Sequence, residues 1–167
     1  LWSWYEHQIR KAAGLGRAPS EEDLDHYDKF NIHCDVLVVG GGPTGLMAAL
    51  AAGRTGARII LADEQAEMGG SLLSSTDSIG GKRPTDWVKQ VIGELTRMPE
   101  VILLRRSTVT GYYDHNFLVI NERRTDHLEQ PDSKISRERI WRVRAGRVVL
   151  ATGAIERPLV FSNNDKP

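Results

Sequence analysis

The run Val36-Leu-Val-Val-Gly40-Gly41-Gly42-Pro43-Thr44-Gly45 constrains this chain more than any other part of it. Four apolar residues lead into a glycine turn, and the turn opens onto a segment of small residues. Gly40, Gly42 and Gly45 fall in the order G-x-G-x-x-G. The first glycine permits a tight turn, the second lets backbone approach a pyrophosphate, and the third lets a helix lie close on a strand. A helix beginning there turns free N–H groups and the positive end of its dipole toward the anion.

The surroundings of the turn agree with this reading. Consecutive apolar residues before it suit a parallel strand buried on both faces. Leu46 to Thr55, carrying Ala48, Ala49, Ala51, Ala52 and Gly53, reads as a helix that can press against a sheet, with Gly56 as its C′ residue. Ala57-Arg-Ile-Ile-Leu-Ala62 reads as the second strand. Asp63 and Glu64 follow it, about twenty residues beyond the glycines, where a carboxylate can accept both ribose hydroxyls of an adenosine. A 2′-phosphate would meet that negative charge, which disfavours NADP, whereas NAD and FAD share this half-site and are not separated by it. No Gly-Lys-Ser/Thr closes the turn, so a P-loop is excluded.

Composition bounds the rest. A chain of 167 residues that is 40% hydrophobic suits one ordinary domain. Its 22 basic residues balance 22 acidic ones without forming a basic stripe, which argues against nucleic acid and anionic membrane surfaces as partners. Cys34 is the only cysteine, so an internal disulfide, a Cys-x-x-Cys redox pair and a four-thiolate cluster are ruled out. A reducing, cytoplasmic compartment is expected. No apolar run approaches the roughly 20 residues of a membrane helix. The chain opens at Leu1 and stops at Pro167 soon after a strand, and it is expected to be a piece of a longer subunit.

Ahead of the glycine turn, Trp2, Tyr5, Ile9 and Ala12 stand at helical spacing, with Arg10 and Lys11 in the last turn and Gly14 and Gly16 beyond. This helix either docks another domain or subunit, or packs on the chain's own core. Leu15 to His33 reads as a polar linker, so residues 1–33 form a helix and linker and residues 34–167 a dinucleotide-binding domain. His7, His26 and His33 read as surface residues without metal-site spacing.

Past the acids, Gly69 and Gly70 allow backbone to pass near a ligand, and Ser71 could donate to a phosphate or ribose; a mobile surface turn is the equal alternative. Pro84 starts a helix from Thr85 to Met98 with Trp87, Val91, Leu95 and Met98 in one stripe, and Val101-Ile-Leu-Leu104 makes a third buried strand. Strand, helix, strand, helix, strand implies a parallel sheet with right-handed crossovers. Residues 107–113 and 116–120 then form an antiparallel excursion. The break Asp114-His115-Asn116, behind Tyr112 and Tyr113, is reactive-looking, but it reads better as a hairpin or interface than as a general base. Glu122 to Ile135 reads as a solvated loop, and Arg139 to Ala145 as a strand with Arg142 and Arg144 on a wet face. Arg147 to Gly153 returns to the parallel sheet, bringing Ala151, Thr152 and Gly153 to the ligand crevice. The fold expected is α/β: a Rossmann-like parallel sheet with an antiparallel β excursion, of the FAD/NAD(P)-binding type.

On these residues the chain resembles the α subunit of heterotetrameric sarcosine oxidase, within the flavoproteins that carry two dinucleotide-binding domains. The run 34–45, Asp63-Glu64 with Gly69-Gly70-Ser71, and Ala151-Thr-Gly153 are common to that group; Gly111-Tyr-Tyr-Asp-His-Asn116 and Ala154-Ile-Glu-Arg-Pro-Leu-Val-Phe161 narrow it. The resemblance implies NAD held in this segment by Gly40, Gly41, Gly42, Pro43, Thr44 and Gly45, by Asp63, Glu64 and Gln65, by Gly70 and Ser71, and by backbone near Val109. It also implies β, γ and δ partner subunits, sarcosine oxidised to glycine and a one-carbon unit at an FAD in the β subunit, and electrons passed to an FMN at the α–β interface and then to oxygen. No complete catalytic site is expected within this segment. A related amine or opine dehydrogenase with FAD in the same groove, and a non-catalytic scaffold stabilised by nucleotide, are the alternatives.

Overall fold

The computed structural model describes residues 2–14 and 22–154. The linker residues 15–21 and the motif at 155–161 lie outside them. The elements run α1 (Trp2–Ala12), β1 (Tyr27–Val39), α2 (Pro43–Gly53), β2 (Ile59–Ala62), α3 (Pro84–Thr96), β3 (Val101–Leu104), β4 (Ser107–Tyr113), β5 (Phe117–Arg123) and β6 (Glu138–Leu150). The sheet order is β3-β2-β1-β6-β5-β4. β3, β2, β1 and β6 are mutually parallel, and β6, β5 and β4 are antiparallel neighbours, as the expected mixture of the two requires.

Two apolar layers fill opposite faces of the parallel strands. Successive residues on a strand point to opposite sides, and the register keeps the two sets apart. Val38, Ile59 and Leu61 pack with Leu46, Ala49 and Leu50 of α2 and with Val88, Val91 and Leu95 of α3. Their neighbours Leu37, Ile60, Ala62 and Leu104 pack on the other side with Leu118, Ile120 and Val143 of the antiparallel strands. All four residues of β2 are buried, which is why that stretch is continuously apolar rather than alternating. Small residues do the work foreseen in α2. A Cβ on Gly53 would come within 2.7 Å of the Met98 sulfur, so helix and neighbouring layer touch there.

Two strands differ from the sequence expectation. Residues 27–33, read as linker, are strand: β1 begins at Tyr27 and pairs in parallel with Glu138–Arg144. Residues 139–145 and 147–150, read as separate strands, form the single strand β6. Its first half lies between β1 and β5, while from Ala145 onward it pairs with β1 alone. Gly146 allows the strand to run on, because a Cβ there would stand 2.9 Å from the Asp35 carbonyl oxygen.

The helix α1 forms as its spacing predicts, with Arg10 and Lys11 in its last turn. None of its side chains is buried, and Trp2 and Trp4 remain 74% and 62% exposed, so it does not pack on the described core. The hairpin β4–β5 also forms. At its tip His115 and Asn116 adopt positive φ, the Tyr112 hydroxyl donates to Asn116 Oδ1 (2.8 Å), and Arg144 donates to the His115 carbonyl (3.1 Å). The first bond closes the tip on itself and the second fastens it to β6, in keeping with a structural hairpin.

Candidate dinucleotide site

The glycine turn joins β1 to α2 at the carboxyl end of the parallel strands. Gly40 has φ 102°, which favours glycine, and its N–H donates to the Ala62 carbonyl (2.8 Å). A Cβ on Gly40 would lie 2.3 Å from the Ala151 carbonyl oxygen, and one on Gly45 would lie 1.8 Å from the Gly40 carbonyl oxygen. Both positions are closed to any side chain, Gly40 by the chain leaving β6 and Gly45 by the turn that leads into its own helix. Gly42 is different: it has an ordinary φ of −72°, and nothing stands within 4 Å of where its Cβ would be. Sterics inside the protein therefore do not require glycine at this position, and the space beside its backbone is open. Gly42 is also the N-cap of α2, with Pro43 in the first turn and no side chain capping the helix. The first-turn N–H groups consequently keep their donor capacity, and the donor set, the open face and the dipole together fit a pyrophosphate. Thr44 lies exposed at the start of the helix.

Asp63 sits directly against this turn. One carboxylate oxygen accepts the Gly41 N–H (2.5 Å) and the other accepts the Gln65 N–H (2.8 Å). The side chain is thus oriented by backbone, and each oxygen retains further acceptor capacity for a ribose hydroxyl. Glu64 and Gln65 are exposed beside it. Met68, which carries no motif of its own, is 1% exposed and packs beneath Gly41, where a Cβ would meet its Cγ at 2.9 Å.

The second glycine pair is packed rather than loose. The Gly69 N–H donates to the Gly41 carbonyl (2.8 Å), and a Cβ on Gly70 would come 3.1 Å from the Gly42 Cα. Ser71 follows in a single 3₁₀ turn, Gly70–Leu73, and is exposed. The start of β4 joins the same edge through the Ser107 N–H, which donates to the Asp63 carbonyl (2.8 Å); Val109 lies two residues further along. On the other flank the Ala151 N–H donates to the Val39 carbonyl (2.8 Å), so Ala151, Thr152 and Gly153 leave β6 beside Gly40. The residues at 40–45, 63–65, 70–71 and 151–153 are therefore brought together at one edge of the sheet, while Val109 lies further along β4 and packs against the core layer of Leu37 and Ile60.

Two arginines reach this edge without any signal in the sequence. The Arg106 N–H donates to the Gln65 carbonyl (3.0 Å), and Arg123 Nη2 donates to the Glu64 carbonyl (3.2 Å). Arg123 lies 59 residues from Glu64, so no local pattern could have paired them.

The fold is an α/β fold of the FAD/NAD(P)-binding type, and the family described as FAD dependent oxidoreductase matches residues 35–101. Within that class the chain is a relative of the sarcosine oxidase α subunit. It is 53% identical over 168 residues to the sarcosine oxidase α subunit of Rhizobium meliloti (strain 1021), covering 100% of this chain and 17% of that protein. It is 50% identical to the corresponding α subunit of Corynebacterium sp. (strain P-1), covering 92% of this chain and 16% of that one. An opine oxidase subunit of Agrobacterium tumefaciens (strain Ach5) is 31% identical over 75% of this chain and 25% of its own length. The chain thus spans about a sixth of the length of the sarcosine oxidase relatives. Among solved structures, L-proline dehydrogenase from P. horikoshii superposes with a TM-score of 0.62 at 25% identity, over 87% of this chain and 26% of that one.

Proposed function

We propose that this chain is the NAD-binding part of the α subunit of a sarcosine oxidase complex. The observation that carries the nucleotide reading is the contrast among the glycines: Gly40 and Gly45 are closed by contact, whereas Gly42 faces open space at an uncapped helix start. In this reading Gly41 to Gly45 hold the pyrophosphate, Asp63 with Glu64 and Gln65 holds the adenosine ribose, and Gly70, Ser71 and the backbone near Val109 close the adenine side. Ala151, Thr152 and Gly153 border the phosphates. Two acids at the ribose favour NAD over NADP. When bound, the nicotinamide group supplies a hydride-accepting ring, but the residues of this chain bind and orient rather than react.

The relatives support the wider role. Their names make them subunits of sarcosine and opine oxidases. On that basis the proposal includes β, γ and δ subunits, FAD and FMN in the assembled complex, oxidative demethylation of sarcosine to glycine, and a cytoplasmic location. No helix among the described residues is long and apolar enough to cross a membrane.

The match to an FAD dependent oxidoreductase family favours a second reading, with FAD in the same cradle. Releasing the ligand from the full-length subunit in its complex and weighing it separates the two. NAD at one equivalent supports the first reading, and FAD as the only nucleotide from the α subunit overturns it. Asp63→Ala tests the ribose contact: unchanged nucleotide content would remove that role, and full turnover after loss of nucleotide would make the segment a scaffold.

A further inference from the structure

Arg106 holds a left-handed backbone conformation, with φ 51°. Such a conformation is uncommon outside glycine, asparagine and aspartate, and here both flanking backbone groups fix it. Its N–H donates to the Gln65 carbonyl (3.0 Å), and its carbonyl accepts the Arg123 N–H (3.0 Å). The turn brings Arg105, Arg106, Arg123 and Arg124 onto one cavity of about 600 Å³, beside the open edge of β3, with Leu103 in its wall and Glu122 as its only carboxylate. That volume is within the range of small-molecule sites, roughly 300–1,000 Å³.

The charges in this cavity do not balance. Glu122 is taken up by the Trp141 indole N–H (2.8 Å) and lies 3.9 Å from Arg139. Arg124 is answered by Asp28 (3.4 Å) and by Ser136 Oγ (2.6 Å). Arg123 has only a long contact to Asp126 (3.7 Å) besides its bond to the Glu64 carbonyl. Arg105 and Arg106 line the cavity with no side-chain partner among the described residues. Four arginines on one cavity, two of them without a carboxylate partner among the described residues and facing a single engaged glutamate, match an anion that offers two or more oxygens. The glycine cradle does not share this cavity: neither Gly40 to Gly45 nor Asp63 is among its walls.

We infer that this arginine-lined cavity binds a small phosphate- or carboxylate-bearing molecule beside the dinucleotide cradle, at whose margin Arg106 and Arg123 also bond the Gln65 and Glu64 carbonyls. The inference rests on the chain's own residues and not on the NAD reading. Titration calorimetry on the full-length subunit in its native complex, with NAD in excess, tests it using inorganic phosphate in one arm and citrate in the other. At least one anion is expected to bind saturably at millimolar concentration or below, and which one does so distinguishes phosphate from carboxylate chemistry. Arg105→Gln with Arg106→Gln is expected to weaken that binding about tenfold or more, while Arg10→Gln on α1 leaves it unchanged. Should the double variant fail to fold, Arg105→Glu at its exposed position makes the same test without disturbing the Arg106 backbone. No saturable binding of either anion, or binding undiminished in the variants, overturns the inference.

Discussion

Gly42 and Gly45 are three residues apart and carry different kinds of constraint. A methyl at Gly45 would stand 1.8 Å from the Gly40 carbonyl oxygen, so Gly45→Ala must displace helix from strand. Overpacking of that kind costs about 1–3 kcal/mol, and a lower melting temperature is expected. A methyl at Gly42 meets nothing within 4 Å, and its φ of −72° suits any residue. Gly42→Ala is therefore expected to melt as the native protein does while losing dinucleotide affinity, because in the proposed site its methyl would occupy the approach left to the phosphates. Equal loss of stability in both variants would mean that Gly42 serves only the fold. Cys34 gives an independent check of the other core layer, where it packs with Leu37, Ile60 and Val143. Burial pushes its thiol up to about 11, so little thiolate forms at neutral pH. Iodoacetamide is expected to leave Cys34 unmodified in the folded protein and to alkylate it once the chain is unfolded; rapid labelling of the native state would contradict the described packing.

Among the elements, the parallel core was legible because burial on both faces writes itself into sequence. Val36–Val39, Ile59–Ala62 and Val101–Leu104 are apolar runs between turn signals, and each is a strand. The extension of β1 was not legible. Tyr27–His33 is largely exposed and polar, and its partner, Glu138–Arg144, lies more than a hundred residues away, so the pairing leaves no local trace. β6 was divided for a related reason: its first half alternates and its second does not, because one strand passes through two environments. The candidate site residues were named by type and spacing, whereas the orientation of Asp63 by Gly41 and Gln65 required the fold. The β1–β2 junction has its own electrostatic signature. Hydrogen bonds from the Arg58 side chain, with help from its backbone N–H, hold the Asp35 carboxyl down to about 2. A folded-state value below the ordinary carboxylate value of about 4 stabilises the fold above that pH, and the benefit disappears as pH falls toward 2. Asp35→Asn is accordingly expected to flatten the acid limb of a stability–pH curve between those values while keeping the fold at neutral pH. An unchanged acid limb would show that the pair contributes nothing there.

At the scale of the whole molecule, the two apolar layers and the cradle are one construction. The parallel strands that separate the layers end at the same edge, where backbone hydrogen bonds join Gly40 to Ala62, Ser107 to Asp63 and Ala151 to Val39, so a ligand in the crevice would bear on segments from several strands at once. A ligand that binds the folded chain and not the unfolded one stabilises it in proportion to the logarithm of its concentration, by about 2.7 kcal/mol at a hundred times its dissociation constant. NAD added to the nucleotide-stripped full-length protein is thus expected to raise the melting temperature progressively. Gly42→Ala should abolish the rise without lowering the starting value, since its methyl obstructs the ligand and not the packing. Asp63→Ala should lower both, because that carboxylate also receives the Gly41 and Gln65 N–H groups and leaves them unpaired when removed. A rise with FAD but not with NAD would assign the cradle to the flavin; no rise with either would leave the open face of Gly42 without a nucleotide to explain it.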